Sequence, residues 1–292
     1  MSAIDLSGPS AARKIKDKVA LVLVCVAFAL ALIPLVTVLW TVVKNGLKRF
    51  DVEFFTHSMN AIGGRDAGGG AYHAIIGTIE QVGLASVIAI PIGVLTAVYL
   101  VEYGGGGRLA RVVTFFVDVM TGVPSIVAGL FIFAFWLKLL GFEYMGFAGS
   151  MSLSILMMPT VVRAAEEMLK LVPNDLREAS FALGVPRWRT ICFVVLPTAF
   201  TGIITGVMLA VARVMGETAP LLVTVFVTTA INNDPFKGPQ MSLPLFIWDQ
   251  AQLPQQVAID RAWTGALTLI LFIMLLNLAA RLIARLRKPV SR

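Results

Sequence analysis

The chain has 292 residues, of which 58% are hydrophobic and only 14% charged, and its mean hydropathy is +0.85. A soluble domain carries about a quarter charged residues, so these values exclude a soluble enzyme and indicate an all-α polytopic membrane protein. The net charge of +7 then reads as a topology signal and not as a nucleic-acid footprint. Two cysteines, Cys25 and Cys192, offer neither a disulfide framework nor metal-ligand spacing, and are expected as packing residues.

In chain order, residues 1–18 form a polar tail with Arg13, Lys14, Lys16 and Lys18 ahead of the first apolar run. That run, 19–43, is too long for a signal-peptide core and is expected to stay as the first transmembrane helix. Residues 44–73 are polar and glycine-rich, an expected loop. A core over 74–285 follows. Its second span covers about 75–101, and Gly104–Gly107 make a turn without the Gly-Lys-Ser/Thr of a phosphate loop. The third span, about 112–137, contains Thr121-Gly122-Val123-Pro124-Ser125, which breaks regular helix. The fourth, about 149–165, runs into a charged stretch at 163–190. The fifth reaches from near Cys192 to at least Met215. Residues 219–231 are apolar but too short to cross alone, and either extend the fifth span or re-enter. The sixth, about 263–284, ends in Arg285, Arg287, Lys288 and Arg292, with 286–292 as a tail.

Six spans put both termini on one side. Sixteen of the 24 Lys and Arg residues fall on that side and seven on the other. The positive-inside rule therefore predicts cytoplasmic termini, a cytoplasmic 163–190 segment, and extracytoplasmic 44–73 and 232–262 loops.

Within 177–222, Leu176, Ala179, Ser180 and Leu183 share one face of a short helix, with Pro173 as its expected first residue and Gly184 as its left-handed stop. Pro186 restarts helix, with Arg187 and Arg189 expected to face water. The stretch reads either as a helical connector or as a partner's dock. Arg213 and Glu217 lie four residues apart on one helix face. They form either a self-neutralising pair near the headgroups or the wall of an anion pathway, where a guanidinium fork matches an oxyanion and Thr218 is the next polar group. The Thr121–Ser125 break is a proline kink filled by neighbours, or a site where hydroxyls and unpaired N–H groups meet an anion. No nucleotide-binding motif or catalytic constellation is present in the sequence, and neither a cofactor nor a metal is expected.

At Glu178-Ala179-Ser180-x3-Gly184-x9-Val194-x-Leu196-Pro197 the chain resembles the EAA loop of ABC-importer permeases. It departs from the family pattern at Ser180, which replaces Ala, and at Val194, which replaces Ile. The resemblance covers roughly 70–285, with the coupling loop at 163–197. Thr121–Val127 and Ala212–Leu222 resemble the phosphate-specific members, nearest to the PstA-type subunit. The resemblance implies the six-helix type I ABC-importer permease architecture and an inner-membrane subunit that itself hydrolyses nothing. The implied partners are a homologous second permease, two ATP-binding subunits, an extracytoplasmic phosphate-binding protein and the lipid bilayer, with inorganic phosphate as substrate and no nucleic acid. Carried over residue by residue, Arg177, Glu178, Ala179, Ser180, Gly184 and Arg187 would couple to the ATPase. Arg213, Glu217, Thr218, Thr121, Pro124 and Ser125 would line the translocation pathway. A permease for sulfate or molybdate, a gradient-driven secondary transporter and a membrane sensor or scaffold are the alternatives.

Overall fold

The computed structural model describes residues 11–286, with side chains over 13–282. Expectations for 1–10 and 287–292, including Arg287, Lys288 and Arg292, lie outside the described residues. Those residues are helices and connecting segments, with no strand among them. Helix α1 (Ala11–Gly46) takes in the basic residues from Arg13 to Lys18, so that part of the expected tail is helix continuous with the first span. The 44–73 segment is not a loose loop. It carries α2 (Val52–Thr56), capped by Asp51, whose Oδ1 accepts from Phe54 N at 2.9 Å, and Phe54 is fully buried.

Helix α3 (Tyr72–Val98) ends in a wider π-helical turn, Tyr99–Tyr103. Gly105 and Gly106 then take φ of +47° and +74°, left-handed conformations that favour glycine. The third span is two helices, α4 (Arg108–Gly122) and α5 (Ser125–Ile132), the latter continued by a π turn to Leu139. They meet at 106°. Pro124 supplies no N–H and drives Val123 into an extended conformation, which is why the helix parts there.

Helix α6 (Gly146–Lys170) is followed by α7 (Asn174–Ala182). Pro173 is the residue before α7 and not its first, because its ψ of 140° is extended. Helix α8 (Arg187–Thr190) runs through a π turn, Ile191–Val195, into α9 (Leu196–Met215), so the fifth span begins at Arg187 and has 29 residues. Helix α10 (Ala219–Thr224) does not extend α9. After the break at 216–218 it packs against α5 and α6. Helices α11 (Leu243–Gln252) and α12 (Gln256–Leu286) complete the chain. Five helices are long and apolar enough to cross a membrane, and the bent α4–α5 pair makes a sixth crossing when taken as one span.

The most extensive helix contact joins α3 to α6. Lipid tails remove the hydrophobic drive between helices, so close approach through small residues has to supply the packing. Ala85, Ala89 and Ala97 of α3 are fully buried, and a Cβ on Gly93 would stand 2.7 Å from Val161 Cγ1. On the other flank of α6, Gly206 of α9 lies against Ala164. At the end opposite α7, polar groups close the bundle. Gln81 Nε2 donates to Gln240 O at 3.2 Å, and Thr78 Oγ1 accepts from Leu243 N at 2.7 Å. Arg261 is fully buried and donates to Gln250 Oε1 at 3.0 Å and to the Asp66 carbonyl, stitching α11 and the 50–70 segment to α12.

Helix α1 touches this bundle only through its last turns, where Gly46 packs on Leu267 and its carbonyl accepts from Thr264 Oγ1 at 2.9 Å. Residues 13–40 are exposed along its whole length. Cys25 and Cys192 are exposed as well, so neither is the packing residue expected. Both sit on helix faces that this chain leaves uncovered.

A Cβ at Gly77 would lie 1.9 Å from the Met241 carbonyl, whereas one at Gly83 of the same helix meets nothing within 4 Å. Gly77→Ala is expected to destabilise the purified protein by about 1–3 kcal/mol through overpacking, and Gly83→Ala to leave it unchanged. Thermal unfolding of the two variants in detergent checks the contrast.

Candidate functional site

The short helix α7 is the first candidate. Gly184 ends it with φ +74°, as the sequence predicts, and a Cβ there would meet nothing within 4 Å. Its outward side bears apolar residues that the chain leaves bare: Leu176 is 41% exposed, Phe181 44% and Leu183 83%. Glu178 and Ala179 are exposed beside them. Glu178 makes no hydrogen bond or ion pair with any described residue. The outward side of α7 thus combines bare apolar side chains with an unpaired carboxylate.

The inward side is fixed by three polar residues. Ser180 is buried and its hydroxyl lies 2.8 Å from that of Thr190, which joins α7 to α8. Arg177 turns away from the exposed surface. It donates to Glu102 Oε1 from Nε at 3.1 Å and from Nη2 at 2.8 Å, to Val172 O at 2.6 Å and to Leu169 O at 3.0 Å. The Arg187 guanidinium donates to the Glu102 carbonyl and lies 5.0 Å from the centre of the Tyr103 ring. Arg187 is exposed, as expected, and its guanidinium also reaches back to a carbonyl and an aromatic face in the π turn that ends α3.

The second candidate lies near the other end of the bundle. Arg213 is 62% exposed, and its Nε stands 4.0 Å from Glu217 Oε1. That distance exceeds a charge-assisted hydrogen bond, so the pair is loose and the guanidinium donors are largely free. Thr218 is half-buried, and its carbonyl accepts from Leu221 N at 3.2 Å and Leu222 N at 3.1 Å as α10 begins. At the break in the third span, Thr121 Oγ1 donates to Asp118 O at 2.6 Å, Pro124 is exposed, and Ser125 opens α5 half-buried.

The two stretches are linked through the packing of α5 against α10. Gly129, one turn beyond Ser125, would place a Cβ 2.6 Å from Pro220 Cα, two residues beyond Thr218. No described hydrogen bond joins the break to the Arg213 pair.

A charged ladder joins α4 to α6, and sequence reasoning named none of its pairings. Arg163 pairs with Asp118 and, at 2.6 Å, with Glu166, whose other oxygen is 2.6 Å from Lys170. The spacing of Arg163, Glu166 and Lys170 at i, i+3 and i+7 was a signal for it. Sequence reasoning also missed Glu102, for which no local pattern exists.

An all-helical, multi-pass chain with a broken span, an exposed amphipathic helix at one end and a free guanidinium near the other has the build of a membrane transport permease. The family described as binding-protein-dependent transport system inner membrane component matches residues 89–289. The chain is 50% identical over 274 residues to the phosphate transport system permease protein PstA 1 of Mycobacterium tuberculosis (strain ATCC 25618 / H37Rv), covering 93% of this chain and 88% of that one. It is 40% identical to the phosphate transport system permease protein PstA of Pasteurella multocida, covering 92% and 95%. Among solved structures, a bacterial alginate ABC transporter in complex with its periplasmic protein superposes with a TM-score of 0.67 at 14% identity, over 94% of this chain and 96% of that one. The inward-facing MetNI methionine ABC transporter gives 0.60 at 20%, over 75% and 94%. The chain belongs to the family of binding-protein-dependent inner-membrane transport components, among its PstA-type permeases.

Ser180→Ala would leave the buried Thr190 hydroxyl without its partner and is expected to cost about 1 kcal/mol. Ser180→Ala combined with Thr190→Val is expected to recover most of that loss. Denaturant unfolding of the purified subunit measures both.

Proposed function

We propose that this chain is one of two non-identical permease subunits of an ATP-driven importer of inorganic phosphate, with both termini and α7 in the cytoplasm. In this reading α7 is the coupling helix. Glu178, Ala179 and Gly184 meet a cytoplasmic ATPase subunit, while Leu176, Phe181 and Leu183 fill a cleft on it. Arg177, Ser180 and Arg187 act from behind, holding the helix in position instead of touching the partner. The observation that carries this reading is the exposed apolar side of α7 beside the unpaired Glu178. The charge distribution supports the orientation, and the names of the curated relatives support phosphate as the substrate.

ATP-driven closure of two ATPase subunits would draw the coupling helices together and turn the permease halves from inward-open to outward-open. Phosphate released by an extracytoplasmic binding protein would then pass Arg213 and the Ser125 break. The exposure of Arg213 and its loose tie to Glu217 suit this role, because a guanidinium in a tight pair has no donors left for an oxyanion. Glu217 keeps the site from holding phosphate too firmly, and Thr121, Pro124 and Thr218 bound the route on either side.

Phosphate uptake into membrane vesicles, with sulfate as competitor, tests the substrate: phosphate should be taken up and sulfate should fail to compete. Competition by equimolar sulfate would redirect the reading to a broader oxyanion permease. Glu178→Lys is expected to abolish uptake while the subunit remains in the membrane, and normal uptake in that variant would remove α7 from the coupling role. Arg213→Ala is expected to lower uptake about 100-fold, the scale on which an enzyme suffers when one oxyanion donor is removed, with the ATPase subunits still bound. Uptake of unchanged rate and affinity would make the pair structural.

A further inference from the structure

Glu102 is only 5% exposed, at the α7 end of α3 and inside the π turn Tyr99–Tyr103. Its carboxylate has one cationic partner among the described residues, Arg177, whose Nε and Nη2 both donate to Oε1. The same guanidinium donates to the last turn of α6 and the segment after it, through Leu169 O and Val172 O. Arg187, the first residue of α8, bonds to the same residue through the Glu102 main-chain carbonyl and lies over the Tyr103 ring. Helix α7 and the start of α8 are thus both pinned to the π turn that ends α3.

Chain connectivity makes this unusual. Helix α7 is joined by short segments to α6 and α8, and α8 runs on into α9, but Glu102 lies 75 residues before Arg177. Without Glu102 the end of α3 would have no side-chain bond to α7 among the described residues. At its other end α3 holds the 240–243 segment through Thr78 and Gln81, about 36 Å away at 1.5 Å per residue.

We infer that Glu102 is a positioning residue of the transport cycle, which delivers displacement of the docked α7 to α3 as well as to α6 and α9. The inference rests on the docking reading above. Burial gives the link its firmness. A carboxylate out of water must keep its cation, so the Glu102–Arg177 pair moves as a unit instead of opening under load. The fork geometry, with two donors on one oxygen, also resists rotation of α7 about the contact.

The test uses the importer assembled with its ATPase subunits and reconstituted in proteoliposomes, reading ATP hydrolysis and phosphate uptake together. Glu102→Gln keeps the shape and removes the charge. It is expected to retain the ATPase subunits and hydrolysis within about twofold, while phosphate carried per ATP falls about tenfold. Glu102→Asp, which restores the charge on a shorter arm, is expected to recover part of that ratio. Glu102→Gln with Arg177→Gln should lose no more than the more affected single variant, because the two residues act through one contact. Wild-type stoichiometry in Glu102→Gln would overturn the inference and leave the docking reading intact. Loss of the ATPase subunits from that variant would also overturn it, since Glu102 would then only shape the dock. Should Glu102→Gln fail to accumulate in the membrane, a lowered ratio in Glu102→Asp supports the inference and an unchanged one overturns it. A wild-type chain that binds no ATPase overturns the docking reading, and this inference with it.

Discussion

The close packing of α3 on α6 is the constraint on which the rest depends. Both helices are long, and their shared seam is rich in alanine, glycine and serine, with Met157 and Val161 packed between them. In lipid such a seam holds because many small van der Waals contacts accumulate where backbones come close. Ser154 adds a polar stitch, its hydroxyl donating to Ser150 O at 2.7 Å and lying 3.4 Å from Ala85 O. With this pair fixed, α9 has a flank of α6 to lean on, α10 has a floor, and α7 hangs from the lower ends of both.

Polar chemistry is sorted by position along that seam. Amide and hydroxyl groups close the end where α11 and the 232–242 segment sit. Ion pairs occur at both ends, and at the end that carries α7 Glu166 and Glu102 are buried but satisfied. Arg213, by contrast, is held only by a 4.0 Å contact with Glu217.

The spans were legible because hydropathy over about 20 residues is a local property, and the break at Pro124 was legible because proline acts on its own backbone. Gly184 announced its left-handed turn for the same reason. Directions of long side chains were not legible. Arg177 and Arg187, carried over from the resemblance as coupling residues, both bond to Glu102, which stands 75 and 85 residues away along the chain and which no local pattern points to. The fate of 219–231 was likewise undecidable locally. Its packing against α5 and α6 depends on Gly129 and Gly149 leaving room for Pro220 and Val225. Cys25 and Cys192 show the opposite limit. An apolar neighbourhood in sequence says a residue is in the membrane, but not whether it faces protein.

The fifth span has a mechanical consequence. From Arg187 to Met215 it is one unbroken helical rod of 29 residues, about 43 Å long. Its first residues abut the exposed helix and its last carry the free guanidinium. A rod of that length is a lever: a tilt of about 5° pivoted at Arg187 swings Arg213 through about 3 Å, the span of one hydrogen bond. A movement too small to separate the packed helices is thus large enough to bring the cation to an oxyanion or take it away.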